Sequence, residues 1–373
     1  MTTTINKLGF GLLRLPRVGG AASDSDAPFD WEAIETMVDR FLELGGTYFD
    51  TCYTYLDGNS EEAVRRCLAA RHPRDAFQVA EKIPGYKCTS PDDARRFLDE
   101  EFARCGIDRF DVLMLHWLND AHYEIAQRLD QFRFLVKCRE EGSADRIGFS
   151  FHGSAALLER ILNEHPEVDI VQIQLNYLDW ESAGIESRAC YEACVRHGKT
   201  VVVMEPVRGG TLAELPAEAE GLLRAAHPDW APADWALRFA QSLPGVEVCL
   251  SGMSTMAQVE ANLEPFEPLG ERDIELLADA RAIIEREQAV PCTACGYCLE
   301  HCPAGIAIPT YFKMLNELAR YPGEGWKIKP AYAELASRVP GPADCIGCRT
   351  CEGHCPQGIA IPDRLKDVAA QLG

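Results

Sequence analysis

The feature that most constrains the fold is an alternation of short apolar runs with longer helical stretches between residue 7 and about residue 265. Runs of strand length separated by amphipathic segments are typical of βα units and a parallel sheet. The predicted strands are 8–15, 47–51, 77–82, 111–116, 146–151, 170–175, 200–206 and 247–252. Eight βα units favour a closed (β/α)8 TIM barrel over an open doubly wound sheet, whose glycine fingerprint G-x-G-x-x-G is absent.

A second kind of sequence begins near residues 285–291, where the last barrel helix is predicted to end. Eight of the 16 cysteines lie in the final 82 residues. Residues 289–373 carry eight acidic and eight basic side chains, so the net charge of −21 falls on residues 1–288. We therefore predict two domains, a barrel over residues 1–288 and a smaller domain over residues 289–373.

The charge and the start of the chain limit the partners that we expect. A net charge of −21 is unfavourable for phosphate backbones, so nucleic acid is not expected as a partner. No apolar stretch approaches 18 residues, and the start MTTTINKLGFG has no basic segment followed by an apolar one. The sequence therefore predicts a cytoplasmic protein without membrane insertion, in which clustered cysteines bind metal or carry redox chemistry.

The spacing C-x-x-C-x-x-C-x-x-x-C-P occurs twice, at 292–303 and at 345–356. Three closely spaced thiolates can bind three corners of one [4Fe–4S] cluster, whereas the fourth is directed to the other cluster. We expect one cluster on Cys292, Cys295, Cys298 and Cys355 and another on Cys345, Cys348, Cys351 and Cys302. Structural zinc and disulfides are the alternatives, but zinc sites need only four ligands and a longer spacer between pairs.

The cysteine-rich segment resembles bacterial two-cluster ferredoxins at these cysteines and the prolines that follow them. It differs in the 42 residues between Cys302 and Cys345, which include helical stretches. That insert is similar to the helical ferredoxin modules attached to larger oxidoreductases. The resemblance implies a small, mainly helical, ferredoxin-like iron–sulfur domain after the barrel.

Polar residues at the carboxyl ends of the barrel strands are the candidates for catalysis, because active sites of such barrels lie there. They are Asp50, Tyr55, Lys82 and His116, on or just after strands two, three and four. A tyrosine acts as a proton donor near neutral pH only if its pKa is lowered from about 10, which a nearby ammonium ion does. Lys82 would supply that ion, Asp50 would hold it, and His116 would orient a carbonyl oxygen or join the proton relay.

These residues stand in motifs that resemble the aldo/keto reductase superfamily over residues 7–265. The motifs are LGFG-x-x-RLP, FDT-x-x-x-Y, VAEKIP, DVLMLH and SGMSTMAQVEANL. The resemblance implies a barrel that passes hydride from NAD(P)H to an aldehyde or ketone, with Tyr55 as the acid. With the cysteine motifs, the chain is similar to the subgroup that carries a C-terminal two-cluster [4Fe–4S] ferredoxin-type domain.

The resemblance also implies cofactor-binding positions, which are Ser150, Gln172, Met204, Gly252, Ser254, Gln258 and Asn262. Phe151 stands where the family usually has asparagine, Met204 where it has an aromatic residue, and Gln258 where an arginine often binds the 2′-phosphate. These differences predict weak nicotinamide binding and little preference for NADPH. The alternative is that SGMSTMAQVEANL is only a strand, a turn and a capped helix.

Three further residues near the strand ends are weaker candidates. His152 and Arg208 follow strands five and seven and could bind substrate, with Arg208 suited to a carboxylate. Cys52 is placed to face the pocket. The remaining barrel thiols are interpreted as buried apolar groups: Cys67, Cys88, Cys105, Cys138, Cys190, Cys194 and Cys249.

The sequence leaves open how the two parts cooperate. A hydride carries two electrons whereas each cluster exchanges one, and splitting a hydride is the task of a cofactor such as flavin. The clusters could exchange electrons with a redox partner, or they could be structural, or the protein could be a noncatalytic electron carrier on a barrel scaffold. We expect an oxidoreductase that acts on a small-molecule carbonyl or alcohol, with electron transfer through both clusters.

Overall fold

The computed structural model describes residues 7–20, 27–182, 185–265, 267–320 and 325–373. Residues 1–6, whose sequence predicts no export signal, lie outside the described residues. No helix in the described part of the chain is long and apolar enough to cross a membrane.

Eight parallel strands close into a barrel in sequence order, each paired with its neighbours and β8 paired with β1. The strands are β1 (Leu8–Gly11), β2 (Tyr48–Asp50), β3 (Gln78–Ile83), β4 (Phe110–Leu118), β5 (Ala144–Phe151), β6 (Ile170–Gln174), β7 (Thr200–Met204) and β8 (Val246–Ser251). The predicted barrel is confirmed, and all eight strands lie where the alternation indicates. The bounds differ most at β1, which ends four residues before the predicted end at residue 15. β4 instead continues two residues beyond His116, across an irregular register between Leu115 and Leu118.

Helices follow the strands around the barrel. They are α1 (Trp31–Glu43), α2 (Asn59–Ala63), α3 (Pro91–Cys105), α4 (Asp120–Arg128), α5 (Gln131–Glu140), α6 (Ala155–Glu164), α7 (Ser187–Arg196), α8 (Ala217–Ala226), α9 (Pro232–Ser242), α10 (Met256–Asn262) and α11 (Glu271–Glu287). A π-helical turn, Val64–Ala69, continues α2. In α1 the Asp30 side chain accepts a hydrogen bond from Ala33 N at 3.1 Å, and the buried face is apolar at helical spacing.

Strand alternation fills the lower barrel with apolar side chains. Tyr48, Ala80, Val112, Ile170 and Val202 belong to one buried cluster, with others from β4 and β8. Gly9 makes room for them, since a Cβ at that position would lie 2.7 Å from Val248 and 2.8 Å from Leu250. The same side of each strand, two residues or more further on, carries the polar residues of the site.

The chain divides into two compact units. The first comprises Met1–Asn176, Glu186–Pro206 and Leu237–Leu269, and the second comprises Tyr177–Ile185, Val207–Ala236 and Gly270–Gly373. The second unit thus includes segments that precede the cysteine-rich region by many residues. The predicted domain boundary between residues 288 and 289 stays a prediction.

The cysteine-rich part of the second unit is mainly helical. It contains α12 (Ile308–Arg320), α13 (Gly325–Arg338) and α14 (Ile361–Leu372), with short 3-10 turns at Pro342–Asp344 and Thr350–His354. Tyr311, Phe312, Ile361 and Leu365 are among the residues of its apolar core. The Asn316 side chain bonds both the N–H and the carbonyl of Val290 at 2.7 Å, which joins α12 to the chain entering this region.

Candidate functional site

Three polar side chains meet inside the barrel at the carboxyl ends of neighbouring strands. Asp50 ends β2, Lys82 lies one residue before the end of β3, and His116 lies on β4. Each is at most 3% exposed. Side chains two residues apart on a strand lie on the same face. Tyr48, Ala80 and Met114 point into the barrel, so the side chains two residues further on also point inward.

Lys82 and Asp50 form a buried ion pair. Lys82 Nζ lies 2.6 Å from Asp50 Oδ1 and also donates to the carbonyl oxygen of Thr51 at 2.8 Å. Burial raises the pKa of Asp50, although the charge and hydrogen bond of Lys82 act to lower it. The pair therefore positions the ammonium ion of Lys82 more than it stabilises the fold.

Tyr55 completes the group from the turn after β2. Lys82 Nζ lies 5.0 Å from the centroid of the Tyr55 ring. The Tyr55 and His116 rings are nearly perpendicular, at 82° with centroids 5.8 Å apart. Two non-glycine residues with positive φ follow Tyr55, Leu56 at 52° and Asp57 at 54°, so this turn holds a strained backbone. The structure thus brings together all four predicted catalytic residues.

Cys52 contacts His116 in this group. Its Sγ lies 3.1 Å from His116 Nδ1, and both residues are buried. Burial, followed by the charge of Lys82, lowers the pKa of His116 well below its usual value. Burial also raises the pKa of the Cys52 thiol. A neutral imidazole therefore faces a neutral thiol, a contact that the sequence predicted only as a cysteine near the pocket.

Ser150 and Gln172 line the buried wall beside this group. Ser150 Oγ accepts a hydrogen bond from Trp117 N at 2.7 Å, next to a backbone with φ of 61° at Trp117. Gln172 Nε2 lies 3.5 Å from Asp50 Oδ2. Gln172 Oε1 is buried and accepts no hydrogen bond from any described residue. This oxygen is available to an amide of a bound ligand, as a buried acceptor generally requires a partner.

The segment after β8 is a turn and a capped helix, which both the cofactor-binding interpretation and its alternative expect. The Thr255 side chain caps α10, and Gln258 Oε1 accepts hydrogen bonds from Ser254 N at 2.7 Å and Thr255 N at 3.1 Å. Asn262 Nδ2 donates to Ser251 Oγ at 3.1 Å. Gln258 Oε1 therefore has a local capping role at the start of α10. Met204 is half-buried against the barrel core.

Arg14 is a basic residue beside this segment that the sequence interpretation missed. Its carbonyl oxygen accepts a hydrogen bond from Ser254 Oγ at 2.6 Å. Its side chain packs against Gly252, since a Cβ added to that glycine would lie 3.1 Å from Arg14 Cδ. Among the described residues, none forms an ion pair with its guanidinium. The motif LGFG-x-x-RLP contained Arg14 and could have indicated it.

The two candidate substrate residues have different surroundings. His152 lies near the Trp117 ring, with centroids 6.3 Å apart, and burial lowers its pKa to about 4. The Arg208 Nε lies 2.9 Å from Asp179 Oδ1, and both side chains are 3% exposed. Arg208 also donates to Gln288 Oε1 at 3.3 Å and to the carbonyl of Pro291 at 3.4 Å. Its guanidinium is thus engaged within the second unit, and this arrangement does not support a substrate role.

The eight motif cysteines line two cavities in the second unit. One is lined by Cys302, Cys345, Cys348 and Cys351, and the other by Cys292, Cys295, Cys298 and Cys355. Each set contains three cysteines of one motif and the fourth of the other. The His301 and His354 rings, which precede Cys302 and Cys355 in the sequence, stack with centroids 3.4 Å apart.

The thiols of each set are close enough to affect one another's ionisation. Burial and the neighbouring Cys295, Cys292 and Cys355 raise the pKa of Cys298. Burial, followed by Cys302, raises the pKa of Cys351 to about 11. Four thiolates in one cavity therefore need a bound cation, and the cysteine-only donor set fits iron–sulfur clusters.

Comparisons with known proteins identify both parts of the chain. A family model described as the aldo/keto reductase family matches residues 7–282, and one described as a 4Fe-4S dicluster domain matches residues 291–361. The chain is 27% identical to a D-threo-aldose 1-dehydrogenase from Pseudomonas over 58% of its length and 70% of that protein. It is 26% identical to an L-galactose dehydrogenase from Arabidopsis thaliana over 75% of its length and 91% of that protein.

Solved structures show the same barrel. An aldo-keto reductase from Bacillus halodurans in its holo form matches with a TM-score of 0.59 and 22% identity over 74% of this chain and 91% of that one. An aldo/keto reductase from Klebsiella pneumoniae in complex with NADP and acetate matches with a TM-score of 0.58 and 18% identity over 73% and 90%. At these identities the likeness shows the fold alone. On the family matches, the chain is an oxidoreductase of the aldo/keto reductase family that carries a C-terminal 4Fe-4S dicluster domain.

Proposed function

We propose that the barrel interconverts a carbonyl compound and the corresponding alcohol, with Tyr55 as the residue that gives or takes the proton. The observation that carries this proposal is the buried group of Asp50, Lys82, Tyr55 and His116 at one end of the barrel. A charged pair, Lys82 and Asp50, and a neutral His116 surround the Tyr55 hydroxyl-bearing ring, and general acid–base catalysis needs such neighbours to adjust the acid.

Lys82 prepares Tyr55 for proton transfer. An ammonium ion near a tyrosine ring favours loss of the phenolic proton, and Lys82 Nζ lies 5.0 Å from the ring centroid. Asp50, at 2.6 Å, keeps that ammonium ion in place. Because both partners are almost fully buried, water screens their interaction little.

His116 orients the substrate through a neutral ring. Cys52 Sγ lies 3.1 Å from His116 Nδ1 and 3.6 Å from the carbonyl oxygen of Lys82. In the tautomer that accepts from the thiol at Nδ1, Nε2 carries the hydrogen. Nε2–H can then donate to the substrate carbonyl oxygen without adding a positive charge beside Lys82. The low pKa of His116 supports this neutral form.

The residues on the barrel wall fit a nicotinamide cofactor. The unpartnered Gln172 Oε1 and the Ser150 hydroxyl suit the carboxamide group, and Arg14 beside Gly252 suits a phosphate group. When bound, reduced nicotinamide supplies the hydride. Gln258, which caps α10, has no part in this proposal.

The test of the proposal is the variant Tyr55→Phe. Loss of a general acid lowers turnover by roughly 10²–10⁴, while the ring and its contacts stay in place. Turnover should be measured with small aldehydes, ketones and sugar substrates and each dinucleotide, with Tyr53→Phe as the control from the same turn. Tyr53 OH donates to Glu100 at 2.6 Å, outside the catalytic group. Near-normal turnover of Tyr55→Phe would remove Tyr55 from the mechanism.

We also propose that each cysteine set binds one [4Fe–4S] cluster and that the clusters exchange electrons with a redox partner. The mixed composition of the two cavities supports the exchange of the fourth ligands. Anaerobic reconstitution should yield about eight iron and eight sulfide per chain. Stoichiometric zinc without acid-labile sulfide would contradict the assignment.

Whether the clusters take part in turnover can be tested separately. Electron transfer predicts that substrate with nicotinamide changes the cluster absorbance near 400 nm under anaerobic conditions, whereas structural clusters stay unchanged. Identification of every bound cofactor in the anaerobic protein decides whether a flavin is present. A flavin would supply the step between a two-electron hydride and one-electron clusters.

A further inference from the structure

A second group of ionisable side chains lies on the other side of β3 from the catalytic residues. Since Lys82 points into the barrel, its neighbour Glu81 points outward, toward the surrounding helices. One ligand atom each from Glu61, Glu81 and Cys105 lies within 4.8 Å of the other two. All three residues are 0% exposed. They come from α2, β3 and the last residue of α3.

Glu101 lies near enough to this group for the charges of Glu81 and Glu61 to act on it, and it has no hydrogen-bond partner among the described residues. It lies one helical turn before Cys105, on the buried face of α3. It is fully buried, and neither carboxylate oxygen has a hydrogen-bond partner among the described residues. After burial, the charges of Glu81 and Glu61 are the strongest influences on its pKa, and both raise it. Glu61 Oε1 is likewise buried without a partner in the described part of the chain.

Local partners do not compensate for these carboxyl groups. Arg104 Nη1 binds the other oxygen of Glu61 at 2.8 Å, and Cys105 Sγ lies 3.6 Å from Glu81 Oε2. Glu81 Oε1 also accepts a hydrogen bond from Lys82 N at 2.8 Å, so the unpartnered oxygens are Glu61 Oε1 and both oxygens of Glu101. Burying a carboxylate oxygen without a partner is costly, and three buried carboxyl groups beside one guanidinium would leave an excess of negative charge if all were ionised. The group therefore requires either bound protons or a bound cation.

We propose that Glu61, Glu81, Glu101 and Cys105 bind a divalent transition-metal ion, for which zinc is the suitable probe. Carboxylate oxygens and a thiolate are zinc ligands, whereas calcium and magnesium prefer oxygen alone. Three carboxylates and one thiolate carry four negative charges, and the ion with Arg104 offsets three of them. Arg104 holds Glu61 in orientation, as residues that contact metal ligands commonly do. The ion joins α2, α3 and β3 behind Lys82.

The experiment uses the full chain with its iron–sulfur sites loaded under anaerobic conditions. After dialysis against Zn²⁺ and then against metal-free buffer, wild-type protein should keep about one zinc per chain. Glu101→Gln and Cys105→Ser should each weaken zinc binding roughly 100-fold or more, since replacing residues that only contact a ligand already costs about 10–100-fold. Cys194→Ser is the matched control, because Cys194 is also a fully buried helical thiol and contacts no part of this group.

X-ray absorption at the zinc edge distinguishes this site from the cysteine-rich segment. The proposal predicts one sulfur at about 2.3 Å with oxygens at about 2.0–2.2 Å. A shell of four sulfurs would place the zinc on the cluster cysteines and overturn the proposal. So would wild-type protein that retains no more zinc than Glu101→Gln. Because Glu101→Gln keeps the shape of the side chain, a rise in the unfolding temperature with Zn²⁺ should occur in wild type and be absent in this variant.

Discussion

Replacing Asp50 by asparagine tests whether the catalytic ammonium ion is held by a buried charge. Asp50→Asn keeps the size of the side chain but removes the carboxylate 2.6 Å from Lys82 Nζ. The asparagine amide oxygen can still accept a hydrogen bond from Nζ, as the carbonyl of Thr51 does at 2.8 Å, but it supplies no counter-charge. The side chains of Lys82 and Asp50 are 1% and 4% exposed, so water cannot replace the lost partner.

The expected cost follows from this burial. Removing one member of a buried ion pair destabilises a protein by about 3–5 kcal/mol, because the other charge stays buried and unpaired. The exposed pair Arg109–Asp145 is the matched control, with a 3.0 Å contact and side chains 45% and 44% exposed. Asp145→Asn should cost only about 0–1 kcal/mol, since solvent screens that pair.

Urea unfolding of both variants measures the difference. Lys82→Met in the Asp50→Asn background should recover most of the loss, because an apolar side chain does not need a counter-charge. The combined variant separates the charge effect from damage to packing. If Asp50→Asn unfolds at the same urea concentration as Asp145→Asn, the claim that this pair is a buried electrostatic contact is wrong.

Three further outcomes test the cluster ligands, the cofactor and the pH dependence. Cys302→Ala should damage the cluster of Cys345, Cys348 and Cys351, because Cys302 lines their cavity, and loss of the other cluster by electron paramagnetic resonance would refute the exchange. Arg14→Met should weaken NADH and NADPH binding by about 10- to 100-fold, the value of a hydrogen bond to a charged group, with little preference between them. Fluorescence titration that finds strong NADPH preference unaffected by this change would exclude Arg14. His152 should lower the free energy of unfolding in acid, because its pKa is 6.5 in the unfolded chain and about 4 in the folded protein. As the pH falls through 6.5, the unfolded chain takes up a proton at His152 that the folded protein does not. The stability gap between His152→Gln and wild type should therefore change by up to about 3 kcal/mol from pH 7 to pH 4, and a constant gap in urea unfolding would contradict this.

The sequence predicted the barrel and the identity of its catalytic candidates because both depend on local periodicity. Side chains alternate between the two faces of β2, β3 and β4, so Asp50, Lys82 and His116 face the barrel interior. This orientation does not depend on how the helices pack. The cysteine spacing is equally local, since it places three thiols on one tight turn. Gly296 and Gly347, with φ of 83° and 70°, give the two loops the backbone that this turn requires.

Contacts between residues far apart in sequence depend on the tertiary structure. The resemblance to the family assigned Gln258 to a cofactor and the position of Arg208 suggested a substrate, and both assignments stay predictions. The tertiary structure adds that Gln258 Oε1 accepts a hydrogen bond at the start of α10 and that Arg208 pairs with Asp179. Arg14 reaches Gly252 because the barrel closes by pairing β8 with β1. Cys52 reaches His116 because β2 and β4 both pair with β3.

By itself, then, the sequence determined which side of each strand faces inward and which cysteines share a turn, because a periodicity of two or three residues decides both. The tertiary structure decided which polar groups are satisfied by distant partners and which are left to bind a ligand. The outward-facing Glu81 illustrates the difference: no local pattern shows that Glu61, Glu101 and Cys105 will lie beside it, since three separate elements must pack before their charges meet.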